Sequence, residues 1–243
     1  MKPNYSPKSA ELYADTETPA LPATDMTLDR QRVAFVVIDP QVDVMSEKGL
    51  AWAAVGESVT ENNLVPNLVE LFGAAKKAGI VVAVSPHYYY HWDHDWRWQA
   101  PLERFQHDVG AFDRTGPYEV GDFRGSGADF MEEFKPFIED GRTIICSPHK
   151  LYGPQANDLK FQLGKQGVNQ VILAGMLANM CVESHMRDLL EAGFEVAVVR
   201  DAVAAPKLPD GDGYLAALIN YRFMANAVWS TDETVEKLLG MAG

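Results

Sequence analysis

Three side chains of this 243-residue sequence have the types and placement for nucleophilic chemistry: Asp39, Lys150 and Cys181. Cys181 lies in the run Gly175-Met-Leu-Ala-Asn-Met-Cys181-Val-Glu-Ser-His185, after the apolar stretch Val171–Ala174 and before a helical pattern. A thiol at the mouth of a helix meets the positive end of its dipole and the free first-turn N–H groups. The sequence therefore predicts a lowered pKa and a thiolate. Asp39 follows the run Val33–Ile38, and Lys150 follows Thr143–Cys146 after Ser-Pro-His. A carboxylate to accept the thiol proton, a cation to hold the thiolate and a sulfur to attack are the parts such catalysis needs. Taken singly, each has a plainer role: Asp39 before Pro40 as a turn residue, Lys150 as a solvated lysine, Cys181 as a small buried hydrophobe. Cys146, inside an apolar run, reads as inert core.

The elements that must position these groups alternate between strand and helix. Val33–Ile38 is a continuous apolar run, as in a strand buried on both faces. Further strands are predicted at Ile80–Val84, Thr143–Cys146, Val171–Ala174, Glu195–Val199 and Ala227–Trp229. Helical patterns fall at Asn63–Ala78 (closed by Gly79), Asp129–Glu139, Asn157–Lys165, Cys181–Ala192, Tyr214–Met224 and Asp232–Leu239. This order implies right-handed crossovers and an α/β fold, three layers deep, with a mostly parallel sheet. Ligands bind beyond the carboxyl ends of such strands, so Asp39, Lys150 and Cys181 are expected on one edge of the sheet.

Residues 1–32 are polar and proline-bearing, and read as an extension outside a domain at 33–243, either a flexible tail or an arm around a partner subunit. Within the domain, residues 86–128 form a long irregular stretch crowded with His87, Tyr88, Tyr89, Tyr90, His91, Trp92, His94, Trp96 and Trp98. Its composition is too aromatic for disorder, and it reads as a lid or pocket wall. A net charge of −13 argues against nucleic acid and anionic membranes as partners. Two cysteines, no signal pattern and no membrane-length apolar run predict a cytoplasmic protein.

The motif Ile38-Asp39-Pro-Gln41-Val-Asp43, a lysine after the middle strand and the Gly175–Val182 run resemble the isochorismatase-like cysteine hydrolases. That superfamily includes nicotinamidases, N-carbamoylsarcosine amidases, biuret and ureidoacrylate hydrolases, and isochorismatases. The similarity runs from about Val33 to Leu239, and Arg200-Asp201-Ala202 also fits. The resemblance implies a six-stranded parallel sheet with Rossmann-like topology, and a homo-oligomer. It implies Asp39 as general base and later acid, Lys150 as the thiolate-stabilising cation, and Cys181 as the nucleophile. It also implies a non-proline cis peptide at Met176–Leu177 and an oxyanion hole from the N–H groups of Leu177 and Cys181.

Some positions depart from that pattern. The nicotinamidase branch holds a metal with Asp and His residues after the second strand, where this sequence has Pro86 and Tyr88, although His94 matches a later ligand. No metal and no cofactor are therefore expected. The aromatic run suits a planar substrate, with Gln41, His87, Tyr88, Trp92, His149 and Asn179 as its expected contacts. A biuret-hydrolase-like glutamine is replaced by Met224. The predicted activity is cleavage of a C–N bond in a small amide, imide or carbamoyl compound through a Cys181 thioester. Vinyl-ether hydrolysis of the isochorismatase type is the alternative, disfavoured because it needs no sulfur. A non-catalytic binding member is the third reading, disfavoured by the intact set of reactive groups.

Overall fold

The computed structural model describes residues 2–22, 24–116 and 120–241. Six strands form one sheet: β1 (Val33–Ile38), β2 (Val81–Ser85), β3 (Ile144–Ile145), β4 (Gln170–Met176), β5 (Glu195–Ala204) and β8 (Ala227–Trp229). Their order is β3-β2-β1-β4-β5-β8 and every neighbouring pair is parallel. A separate hairpin joins β6 (Lys207–Leu208) to β7 (Gly211–Asp212). The helices are α1 (Pro7–Tyr13), α2 (Val42–Met45), α3 (Trp52–Glu61), α4 (Leu64–Ala78), α5 (Pro101–Val109), α6 (Lys135–Ile138), α7 (Leu159–Lys165), α8 (Glu183–Glu191), α9 (Gly213–Met224) and α10 (Thr231–Gly240). Among the described residues, no helix is long and apolar enough to cross a membrane.

The period-2 alternation of the strands sorts the core into two layers. Val33, Phe35 and Val37 pack with Leu68, Phe72 and Leu238, so α3, α4, α6 and α10 cover one face. Ala34, Val36 and Ile38 pack with Leu163, Met186 and Leu218, so α7, α8 and α9 cover the other. Both faces being covered explains why β1 is apolar at every position and buried throughout. Gly79 ends α4 in the left-handed conformation that its sequence position predicts. Asp201 accepts from both the backbone and the hydroxyl of Thr231, fixing the start of α10.

The connection from β1 leads toward β2 on one side of the sheet, whereas β4 lies on the other. The chain therefore leaves the paired carboxyl ends of β1 and β4 in opposite directions, and the crevice this makes above them is the usual place for a ligand in such sheets. Gly175 lets the two strands approach there. Its φ is 116°, and a Cβ would lie 2.0 Å from the Ile38 carbonyl oxygen. Gly175→Ala is expected to destabilise the protein by about 3 kcal/mol or more, since neither the dihedral nor the backbone contact can accept a methyl. Thermal melting checks this; a loss under about 1 kcal/mol would mean the strands part freely.

The N-terminal extension differs from its expected place outside the fold. Tyr13 packs edge-on to Tyr214 with ring centroids 4.8 Å apart, and its hydroxyl donates to Asp212 at 2.6 Å. Arg200 and Arg222 both hold Asp15, and Met26 is buried in the core. The segment thus closes over its own domain, because its aromatic and acidic groups find partners there.

The predicted helix at Asp129–Glu139 shrinks to α6. Asp129 accepts from the backbone of Gly125 and its carbonyl from that of Val42, and Phe130 bridges to Gln41, so the start of the segment is tied to the loop after β1 instead.

Candidate active site

Asp39 leaves β1 with φ 49°, a left-handed conformation that aspartate tolerates better than most residues, while its N–H donates to Ser85 as if the strand continued. Its side chain is buried. His149 Nε2 donates to Asp39 Oδ1 at 2.7 Å, and the Asp39 carboxylate also meets the thiol of Cys181. One side-chain oxygen, nitrogen or sulfur from each of Asp39, His149 and Cys181 lies within 4.8 Å of the others.

Lys150 is not part of this cluster. Its ammonium pairs with Asp93, donates to the Tyr88 carbonyl at 3.2 Å and lies over the ring of Tyr90 at 4.2 Å. Among the described residues it makes no hydrogen bond or ion pair to Asp39 or Cys181. The backbone explains the exchange. Contacts alternate along 149–151: His149 bonds Asp39, Lys150 turns to Asp93, and the Leu151 carbonyl accepts from Cys181 Sγ at 2.9 Å. Leu151 holds the turn in a left-handed conformation, φ 61°. Lys150 ties the strand-end loop to the aromatic stretch, and the nitrogen donor beside Asp39 is that of His149.

Cys181 sits in a π-helical turn (Ala178–Val182) that leads into α8. The expected thiolate is corrected by its surroundings. Burial, and after it the charge of Asp39, push the Cys181 thiol well above its ordinary pKa. The backbone N–H groups of Leu177 and Cys181 bear on the sulfur and oppose that rise without overcoming it. This direction favours the thiol over the thiolate. Burial also raises the Asp39 carboxyl, against the opposing effect of His149. The Met176–Leu177 peptide bond is cis.

His185, one helical turn after Cys181, was not singled out from the sequence as a working residue. Its Nδ1 donates to the Cys181 carbonyl at 2.7 Å and its Nε2 meets Ser85 Oγ at 2.8 Å, so it fastens the nucleophile's turn to the end of β2. The i, i+4 spacing from Cys181 was the available signal. Burial keeps His185 and His87 far below the usual histidine pKa, hence neutral.

A cavity of about 380 Å³ opens onto Asp39 and Cys181. Of the six expected substrate contacts, His87 lines it. Gln41 instead clasps the backbone of His87: its Oε1 accepts the His87 N–H at 2.7 Å and its Nε2 donates to the His87 carbonyl at 2.7 Å. Tyr88 packs against Tyr90 and Phe123, and Trp92 stacks on Tyr90 at 4.8 Å. Asn179 sits against Gly213, outside the lining. The 86–128 stretch does furnish a wall, through Leu102, Phe105 and Val109 of α5 and through Phe112. The i, i+3, i+7 apolar spacing of α5 was the sequence signal for it. Asp43 braces that wall, accepting from the N–H groups of Leu50 and Phe112.

The nicotinamidase-type metal site finds no donors at its expected place, since Pro86 offers none and the Tyr88 ring is packed among aromatics; His94 bonds Asp113 at 2.8 Å. The group of described residues with metal-ligand spacing is Asp39, His149 and Cys181 itself.

Comparison with known proteins finds relatives of the same fold. A model of the Isochorismatase domain matches residues 33–233. A cysteine hydrolase from Pseudomonas syringae pv. phaseolicola 1448A superposes with a TM-score of 0.76 at 19% identity, covering 92% of this chain and 100% of that one. An N-carbamoylsarcosine amidase from Thermoplasma acidophilum gives a TM-score of 0.59 at 20% identity, covering 83% and 97%. In sequence, an uncharacterized isochorismatase family protein, YddQ of Bacillus subtilis (strain 168), is 29% identical over 116 residues, 46% of this chain and 63% of that protein.

Proposed function

The chain belongs to the isochorismatase-like hydrolase family, and from that premise we propose that it is a cysteine hydrolase that cleaves the C–N bond of an amide-type compound, with Asp39, His149 and Cys181 as its reacting set. The observation that carries the reading is a buried thiol in contact with a buried carboxylate, both lining a cavity. A thiol whose proton is held this firmly attacks only as a base removes that proton. Asp39 is that base, and its raised pKa makes it a stronger one than a solvated carboxylate.

In the first step Asp39 takes the proton from Cys181 as the sulfur adds to the carbonyl carbon. The developing oxyanion is received by the N–H groups of Leu177 and Cys181, which already face the sulfur. Asp39 then gives the proton to the departing nitrogen, the C–N bond breaks, and a thioester remains. Water, deprotonated by the same carboxylate, releases the acid and restores the thiol. His149, bonded to Asp39 Oδ1, orients the carboxylate and opposes the cost of burying its charge.

Intact-mass measurement during turnover of an amide panel tests this. An acyl adduct on Cys181 with release of ammonia or amine is expected. Full turnover by Cys181→Ala protein, or product formed without any released nitrogen, would overturn it.

A further inference from the structure

We infer that the acyl side of the substrate is uncharged and apolar, an alkyl or aryl carboxamide without a carboxylate; this rests on the hydrolytic reading above and names the substrate class for it. Among the described residues, Asp39 is the one charged side chain in the cavity lining, and it belongs to the reacting end. The other polar groups there are His87 and Gln106. His87 Nε2 accepts the Leu151 N–H, and Gln106 Oε1 accepts from the Tyr89 hydroxyl at 2.6 Å. The remaining wall is apolar, with Val44 and Val55 on one side, Leu102, Phe105 and Val109 on another, and Leu208 at the mouth.

Two neighbouring cations are engaged elsewhere. Lys150 is held by Asp93. Lys207, between the lining residues Pro206 and Leu208, is held by Glu57 and Glu61. A substrate carboxylate would thus lose its water with no counter-charge, facing the Asp39 carboxylate. An alkyl or aryl group meets the opposite condition, since each methylene it buries adds affinity. The rim points the same way. Leu50, Phe105 and Leu208 are each about half exposed, and α5 buries none of its residues, so apolar side chains stand at the entrance uncovered by the described residues.

Calorimetric binding to Cys181→Ala protein separates the substrate class from the chemistry. Hexanamide is expected to bind at least about 100-fold more tightly than its carboxylate-ended counterpart, the monoamide of adipic acid. From propanamide to hexanamide, affinity should rise about fourfold per methylene. Equal binding of the charged and neutral amides, or none by hexanamide, would overturn the inference. Phe105→Arg supplies a second reading, because its half-exposed position lets it carry a guanidinium at the mouth without disturbing the core. It should shift the ratio of affinities at least tenfold toward the charged amide; an unchanged ratio would show that the acyl group does not occupy this cavity. Selective binding of hexanamide without turnover of any amide by the unaltered enzyme would leave the substrate class standing and overturn the hydrolytic reading.

Discussion

Asp39→Asn protein is expected to lose about 10⁴-fold in kcat/KM at neutral pH and to melt at a higher temperature than the parent. Asparagine isolates the proton acceptor. It has the same shape, tolerates the φ of 49° at this position, and keeps an oxygen to accept from His149 Nε2. What disappears is the group that takes the proton from a thiol whose pKa burial has raised. The gain in stability follows from the direction of the Asp39 shift. Its carboxyl is pushed up by burial, so the native state holds that proton more firmly than the unfolded chain does. The stability this contributes is present below the unfolded pKa and is lost as the pH rises through the folded pKa. At pH 7 the ionised group is a net cost, and asparagine removes it. Melting curves between about pH 4 and 8 should show the advantage of the variant largest at neutrality and closing as the Asp39 carboxyl takes up its proton. Turnover retained within tenfold would remove Asp39 from the role of base. Loss of activity with an unchanged melting temperature at every pH would show that the buried charge is fully compensated.

The parts of this site that are legible in the sequence are those fixed by strands. An apolar run buried on both faces places Asp39 at the end of β1, and the same logic places Cys181 beyond β4. Everything decided by the direction of a loop side chain is not. His149 and Lys150 are neighbours, and one residue of alternation determines which meets Asp39; that alternation depends on a left-handed Leu151 and on Asp93 arriving from a distant segment. The thiol was misjudged for a related reason. A helix start favours a thiolate, but burial and an adjacent carboxylate act in the other direction and are larger, and neither can be read from spacing. The aromatic stretch shows the same limit. Tyr88 meets Tyr90 edge-on and Trp92 stacks on Tyr90, whereas the stretch's share of the cavity wall comes mainly from the less conspicuous α5. Helix α3 also escaped notice. Gly56 in its centre weakens the pattern, and only the structure shows that a Cβ there would strike the ring of Trp52.

Exchanging the two neighbours should separate their roles. His149→Ala is expected to lower kcat/KM about 100-fold and to move its acid limb to higher pH. The sign follows from the balance at Asp39: burial raises the carboxyl, and His149 lowers it more than the Cys181 hydrogen bond does, so removal of His149 leaves the rise less opposed. A more alkaline solution is then needed to keep the base ionised. His149→Gln restores a donor for Asp39 without a charge, and should recover part of the rate while leaving the limb displaced. Lys150→Met should behave otherwise. Its partner Asp93 is buried and also accepts from the Tyr90 N–H, so loss of the ammonium weakens the tie between two loops by about 2 kcal/mol. Turnover at saturating substrate should stay within about threefold of the parent, with the acid limb unmoved, because Lys150 contacts neither Asp39 nor Cys181. The reverse pattern, a collapse of kcat in Lys150→Met and a purely thermal effect in His149→Ala, would return the lysine to the reacting set. It would also require the 149–151 loop to turn over in the working enzyme, since the two side chains leave the backbone on opposite sides and cannot reach Asp39 together.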